Sequence, residues 1–296
     1  MKSFEISWKI EELYDGQLLR EFLLNEKEIS RQALTDIKFN GGGLFVNGEQ
    51  VTVRHLLKSG DIVSVFFPTE VVSEQMVPEE MPLSILFEDD HFLVLDKPAN
   101  VATIPSKYQN TGSLAQGILH YYQTKAIPAT IHVVNRLDRD TSGIVLIAKH
   151  RYAHSLLSKQ QQSSRIKRSY IALCHGQPIS KIGEIEEPIG RKEGSIVERC
   201  VRADGQFART HYKVLKTYEG YSYVQLNLDT GRTHQIRVHM NYIGHPLLGD
   251  DLYGGTREKI QRQALHSTTI TFYHPFSEKE VKLEAPLPND ISNLLD

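Results

Sequence analysis

The chain has 296 residues, 40% of them hydrophobic and 24% charged, with a formal net charge of −2. That length allows about two domains of roughly 150 residues each, with a core that needs no disulfide or metal staple; Cys174 and Cys200 are too few for a disulfide framework and read as the reduced thiols of a cytoplasmic protein. No apolar stretch of signal-peptide type opens the sequence and no window approaches the ~20 apolar residues of a membrane helix, so no membrane partner is expected.

The small net charge hides a split. Residues 1–90 hold 8 Lys+Arg against 17 Asp+Glu, and the remainder holds 26 against 19. A polyanion responds to charge within a Debye length of about 8–10 Å. Polyanion binding therefore stays open, and the split places it beyond residue 90.

In chain order, residues 16–24 read as a short helix with Leu18, Leu19, Phe22 and Leu23 on one face. Ser30 is placed to cap a second helix in which Ala33, Leu34 and Ile37 recur at helical spacing, and the glycines at 41–43 break it. Residues 44–46 and 50–53 form a hairpin around Asn47-Gly48, the pair that a type I′ turn favours. A turn at Ser59-Gly60-Asp61 leads into a strand over 62–67. These pieces make a module over 1–72, followed by a Glu- and Pro-bearing linker at 73–82 and a larger domain over 83–296.

In the larger domain, 84–86 and 91–95 are apolar runs across the turn Glu88-Asp89-Asp90, and 143–148 is a continuous apolar run of the buried-strand kind. A helix over 152–162 precedes a strand over 169–174. Residues 210–217 and 221–228 pair across Glu219-Gly220. Thr233 is placed to cap a helix carrying Ile236, Met240 and Ile243 on one face, stopped by Gly244. Hairpins outnumber β-α-β units, which predicts an α+β domain around a largely antiparallel mixed sheet with flanking helices, beside a small N-terminal α/β module.

The densest polar cluster is Asn135-Arg136-Leu137-Asp138-Arg139-Asp140-Thr141-Ser142-Gly143, at the mouth of the buried strand. Taken alone it reads equally well as a rigidly mounted set of functional side chains or as a solvated charged turn.

Four blocks, in order, decide between these. Leu95-Asp96-Lys97-Pro98, then Arg136-Leu137-Asp138-Arg139-Asp140-Thr141-Ser142-Gly143, then Lys167-Arg168-Ser169-Tyr170, then Thr230-Gly231-Arg232-Thr233-His234-Gln235-Ile236-Arg237 with Leu248-Gly249-Asp250 beyond it, resemble the motifs of the RluA/RluD family of pseudouridine synthases. The similarity spans roughly residues 84 to 285. The pieces at 30–37, 44–48 and 56–65 resemble an S-four-type RNA-binding module, although residues 1–72 hold 8 basic and 11 acidic side chains.

The resemblance implies an isomerase that turns uridine into pseudouridine in RNA without a cofactor, with large-subunit ribosomal RNA as first target and transfer RNA as the alternative. It implies a catalytic set of Asp138, Tyr170 and Arg237. The reaction breaks a C–N glycosidic bond, turns the base and forms a C–C bond, so it needs an ionised carboxylate to attack the sugar or take its 2′ proton. That calls for a nearby cation, the role of Arg237, and Tyr170 matches the tyrosine that packs on the target base. A base must also leave its stack, at a cost of a few kcal/mol, and Arg136 is the expected wedge. Lys167, Arg168, Arg232, His234 and Gln235 are the expected RNA contacts, with Lys149, Arg151 and Arg165 as further phosphate candidates.

Asn135 stands where the family often has His, and Asn100 where Gly is usual; both bear on target choice rather than chemistry. Metal binding is not expected. His234 and His239 are five residues apart, about 500° around a helix, and neither H-E-x-x-H nor C-x-x-C occurs. Two other functions compete: a non-catalytic RNA chaperone on this fold, which would not need Asp138, and a glycosidase using Asp138 with Asp140, disfavoured because residues two apart in a loop end do not form a facing acid/base pair. The expected working form is a cytoplasmic monomer.

Overall fold

Apolar alternation in the first segment resolves into a small sheet of its own. The computed structural model of the chain describes residues 4–71, 73, 76–106 and 110–296. Strands β1 (Glu5–Lys9), β2 (Gly43–Val46), β3 (Glu49–Gln50) and β4 (Ile62–Phe66) lie in the antiparallel order β1-β4-β2-β3. Asn47 and Gly48 turn the hairpin at φ 51° and 84°, the left-handed geometry that a tight hairpin requires. The Asn47 side chain also donates to Asp61 Oδ1 (2.8 Å) and accepts from Ile62 N (2.9 Å), which ties the hairpin to the start of β4.

The first helix starts later than its apolar spacing predicts. Gly16, at φ 74°, turns the chain, and α1 (Leu19–Glu21) runs into a wider π-type turn over Phe22–Glu26. The cause is tertiary: Gly16 N, Leu19 N and Arg20 N donate to the carbonyls of Leu57, His55 and Val53, so they are held by a neighbouring segment. Helix α2 (Arg31–Phe39) begins as predicted, with Ser30 Oγ accepting from Ala33 N at 3.1 Å. Among the described residues of 73–82 there is neither helix nor strand.

The large sheet takes β5 (Ser84–Glu88), β6 (Phe92–Lys97), β7 (His132–Val133), β8 (Ser142–Ala148), β9 (Lys167–His175) and β10 (Ile182–Glu186). After a short ribbon of β11 (Ile189–Arg191) and β12 (Arg199–Val201), β13 (Arg209–Tyr218), β14 (Tyr221–Leu228), β15 (Leu265–His274) and β16 (Lys279–Glu284) complete it. The order is β10-β13-β14-β9-β15-β8-β6-β5, with β16 on β15 and β7 on β8. Every pairing is antiparallel except the β8–β15 seam, where Ser142 faces His266 and Gly143 faces Ser267. Gly143 is required there, because a Cβ would run into the Ser267 carbonyl and its φ is 109°.

Strand β8 is buried along its whole length, as its unbroken apolar run predicts, because both faces are covered. On one face Val145 and Ile147 join Tyr170, Ala172, Val224 and Leu226 under α3 (Leu114–Thr124) and, further along the chain, α5 (Gln235–Tyr242). On the other, Ile144, Leu146 and Ala148 pack with Ala153 and Leu157 of α4 (Arg151–Gln162). Helix α6 (Asn289–Ser292) ends the chain. The mixed α+β fold with a largely antiparallel sheet is the predicted class.

The two sheets meet along α4. Tyr152 and Leu156 enter the core of the small sheet, and the Tyr152 hydroxyl donates to Lys27 O. Phe4 stacks on the His150 ring at 3.7 Å. Glu70 accepts from Arg151 N (2.8 Å) and meets His132 Nε2 at 2.6 Å. His150 is the N-cap of α4: its Nδ1 accepts from Ala153 N at 3.2 Å, so the neutral ring carries its proton on Nε2, 3.0 Å from His91 Nδ1.

Burial pushes the His150 pKa down to about 3. Below pH 6.5 the unfolded chain therefore takes up a proton that the folded chain refuses, so stability falls with pH across that window. Burial raises the Glu70 pKa, but hydrogen bonds from His132 and Arg151 N outweigh it and hold the carboxyl at about 2, which adds a loss below pH 4.5. Urea unfolding at pH 5 should show about 2 kcal/mol less stability from His150 than at pH 7.5. His150→Asn, which still caps but does not protonate, should remove that difference; an equal drop in both proteins would assign it elsewhere.

Candidate active site

The loop between β7 and β8 is fixed from both sides before it presents anything. Asn135 Nδ2 donates to Ile144 O (3.0 Å) and its Oδ1 accepts from Leu146 N (2.8 Å), which folds the loop back onto β8. Leu137 points into the core, and its N–H and carbonyl both meet Thr103 Oγ1 (3.1 and 2.8 Å). Lys97 is fully buried, and its Nζ donates to Pro98 O, Val101 O and Arg139 O at 2.7–3.0 Å. Burial pushes its pKa down to about 7, against the nearby Asp138 and Asp140. From the far side Arg262 donates to Asp140 O (3.1 Å) and Ser142 Oγ (3.2 Å), while Asp290 grips its Nε and Nη2 (2.7 and 2.9 Å).

What this loop presents is Asp138. Arg237 Nη1 donates to Asp138 Oδ2 at 3.1 Å, which supplies the expected cation. The two-pronged grip of this guanidinium goes to a different carboxylate, however. Arg237 Nε and Nη2 bind Asp250 at 2.7 and 2.8 Å, deep in the protein, and its guanidinium lies 5.0 Å from the Tyr253 ring. One edge of the guanidinium is thus anchored and the remaining nitrogen is aimed. Asp138 Oδ1 carries no hydrogen bond among the described residues.

His234 completes the cluster, with Nε2 3.8 Å from Asp138 Oδ2. The Tyr253 hydroxyl accepts from Arg199 N (2.9 Å) and lies 2.8 Å from His234 Nδ1; in the tautomer where the phenol donates to Nδ1, the ring presents Nε2–H toward Asp138. Burial lowers the His234 pKa, so the ring is neutral at neutral pH. His234 also corrects the predicted helix start: it occupies the N-cap of α5 at φ 58° with no side-chain cap, and Thr233 does not cap.

The reason is Gln235. Its Oε1 accepts from Thr230 Oγ1 and Arg232 N, and its Nε2 donates to Arg209 O and Thr210 Oγ1, all at 2.7–3.0 Å. With four bonds made and 3% exposure, Gln235 has no capacity left for RNA in this arrangement. It shapes the 230–235 turn instead of meeting substrate as expected.

The other expected contacts divide by burial. Arg136, Arg151, Arg165 and Lys167 are exposed, and Arg232 is half-buried with its Nε on Phe207 O (2.9 Å). Lys149 is buried and paired with Glu88 at 2.7 Å, so it is a scaffold cation rather than a phosphate contact. Arg168 is buried beside Tyr170 rather than on the surface. Tyr170, on β9, is buried, and burial pushes its phenol pKa up against the lowering effects of Arg168 and the Ser267 hydrogen bond. The phenol therefore holds its proton at neutral pH. The Asp140 carboxylate is taken by Arg139 (2.9 and 3.1 Å). Among the described residues no group of three or more His, Cys, Asp and Glu is arranged for a metal ion.

Sequence reasoning gave no role to Asp250, Tyr253, Lys97 or Arg262. Asp250 and Lys97 lay inside quoted motifs, and nothing in their spacing names their partners.

A family model described as RNA pseudouridylate synthase matches residues 91–242. The uncharacterized RNA pseudouridine synthase YjbO of Bacillus subtilis (strain 168) is 53% identical over 270 residues, covering 91% of this chain and 95% of its own. The ribosomal large subunit pseudouridine synthase D of Escherichia coli O157:H7 is 32% identical over 298 residues, covering 96% of this chain and 86% of its own. The solved structure of human RNA pseudouridylate synthase domain containing 1 superposes with a TM-score of 0.58 at 27% identity, over 70% of this chain and 84% of that one.

Proposed function

The chain belongs to the RNA pseudouridylate synthase family, and from that premise we propose that it isomerises specific uridines of large-subunit ribosomal RNA, with Asp138 reacting on a uridine turned out of its stack. The observation that carries the assignment of Asp138 is the 3.1 Å contact from an anchored Arg237 within the matched region. The target class rests on relatives named for the large ribosomal subunit.

Attack on the sugar and removal of its 2′ proton both start from Oδ1, the oxygen left open by Arg237. If Asp138 attacks, a C1′–oxygen ester forms as the C1′–N1 bond breaks, and C5 of the turned uracil anion then displaces the carboxylate. If it takes the 2′ proton, the uracil anion leaves to give a glycal, and that proton returns to C2′ as C5 bonds to C1′. In both routes the C5 proton then leaves to solvent and N1 takes one up. Asp138 needs a fixed direction for this, and the Asp250-held guanidinium supports one. Neutral His234 can donate Nε2–H to the carboxylate without adding a second charge. Tyr170, buried and protonated, serves as a packing surface for the base and a hydrogen-bond donor. Exposed Arg136, beside Asp138 in the chain, is suited to fill the gap that a displaced base leaves.

Residues 1–72 act in this reading as an S-four-type RNA-binding module, joined by 73–82 to a catalytic domain at 83–296. A monomer suffices, since Asp138, Tyr170 and Arg237 come from one chain. The cytoplasm is the compartment proposed, and no helix among the described residues is long and apolar enough to cross a membrane.

The test is tritium release from 5-tritiated uridine in bulk ribosomal and transfer RNA from cells lacking the gene, without added metal or nucleotide. Release from large-subunit RNA is the expected result. Release from transfer RNA alone would move the target, and none from either would favour an RNA chaperone.

A further inference from the structure

We propose that Arg168, with the Thr230-Gly231-Arg232 turn lying on it, forms a subsite for an RNA phosphate beside the reacting uridine. The proposal rests on the synthase reading above and adds the group that Arg168 binds.

Arg168 stands on β9 two residues before Tyr170, so the two side chains share a face of the strand. It is 8% exposed, comparable to Arg237 at 7% and Arg262 at 6%. Those two arginines are each held by a carboxylate, Asp250 and Asp290. Arg168 has none: among the described residues no ion pair reaches it, and its buried Nε has no hydrogen-bond acceptor. A guanidinium taken out of water without a counter-charge is strongly destabilising. The situation resolves if the anion arrives with the substrate.

The neighbouring turn is built around this cation. A Cβ on Gly231 would lie 2.9 Å from Arg168 Nη1 and 3.5 Å from Nη2, which shows how closely the turn lies on the guanidinium. Nε is sealed, which leaves the two Nη atoms as the groups able to bind. Just past the turn, α5 opens its N-terminal end, whose backbone dipole favours negative charge. Arg232, half-buried, stands in the same turn.

A full positive charge calls for a full negative one. The uracil carbonyls are neutral, and Asp138 is already engaged by Arg237. RNA offers a permanent anion only at its phosphodiesters, and a forked guanidinium matches phosphate oxygens in geometry as well as charge.

The experiment uses the full chain and whichever RNA class gives most tritium release with the wild type. kcat/KM is measured over a salt series for wild type, Arg168→Gln and Arg168→Lys, alongside thermal melts. Arg168→Gln should melt no lower than wild type, because it removes a cation without a partner. Its kcat/KM should fall about tenfold to a hundredfold, and log kcat/KM against log salt should become shallower by about 0.7–0.9, the signature of one lost phosphate contact. Arg168→Lys should keep the wild-type slope and recover part of the rate.

A lower melting temperature for Arg168→Gln would show that the cation has a structural partner and overturn the premise. Unchanged kcat/KM, or a loss at unchanged slope, would overturn the phosphate assignment. A wild type inactive on both RNA classes would instead overturn the synthase reading, and with it the substrate on which this subsite depends.

Discussion

Asp138→Asn should lose tritium release by on the order of 10⁴-fold or more while folding as the wild type does. The exchange is nearly isosteric, and an amide oxygen can still accept from Arg237 Nη1, so the 3.1 Å contact has a replacement. A stability change of about 1 kcal/mol or less is expected. Chemistry is different, because an amide neither attacks a sugar carbon nor takes a 2′ proton. Affinity for RNA should be nearly unchanged, so the loss should appear in kcat with KM little altered. Turnover within tenfold of wild type would remove Asp138 from the reaction. Reduced turnover with a lowered melting temperature would point to a loop held together by the carboxylate.

Asp250→Ala should damage both stability and rate, although Asp250 is fully buried and does not face the substrate. Its two bonds of 2.7 and 2.8 Å hold Arg237 Nε and Nη2. Removing one partner of a buried ion pair leaves an uncompensated charge, at a cost of about 3–5 kcal/mol. The released guanidinium can then swing onto Asp138 with both prongs, occupying the oxygen that should react. Turnover is expected to fall at least about a hundredfold. The double variant Arg237→Met with Asp250→Leu separates the two effects: it should recover most of the stability, as apolar replacement of a buried pair does, and none of the rate. Wild-type melting and turnover in Asp250→Ala would show that Arg237 is positioned by something else.

Local structure was legible where local chemistry decides it. The Ser30 cap, the Asn47-Gly48 hairpin and the fully apolar β8 all form as read, because a side-chain oxygen, a positive φ or an unbroken apolar run acts within a few residues. The start of the 16–24 helix and the Thr233 cap were misplaced where distant groups took over. The backbone amides of Gly16, Leu19 and Arg20 go to the carbonyls of Leu57, His55 and Val53, and Gln235 stitches the 230–235 turn that Thr233 was expected to begin. The site divides in the same way. Asp138 and Arg237, 99 positions apart, were paired through the resemblance and not through spacing. The grip of Asp250 on Arg237, of Lys97 on Arg139 O and of Arg262 on Asp140 O is set by how the sheet closes. Burial of Arg168, Gln235 and Lys149 was equally out of reach, since a basic or amide residue in a sequence carries no mark of which way it faces.

The parallel β8–β15 seam sets an order of assembly during synthesis. Ser142 Oγ meets His266 Nδ1 across 124 positions of chain, and Arg262 bonds the same loop from nearby. At roughly 5–20 residues per second, translation takes about 6–25 s to get from one side of the seam to the other. For that interval the growing chain can form the antiparallel β6–β8 pair and display Arg136 and Asp138, but Arg237, Asp250 and Arg262 are still unmade or inside the ribosome. On the proposed assignment of Asp138 and Arg237, a nascent chain is therefore expected to be silent toward the RNA of the ribosome that is making it. The contacts that fix the loop, from Arg237 to Asp138 and from Arg262 to Asp140 O, can form only once the later strands have been released and close over it.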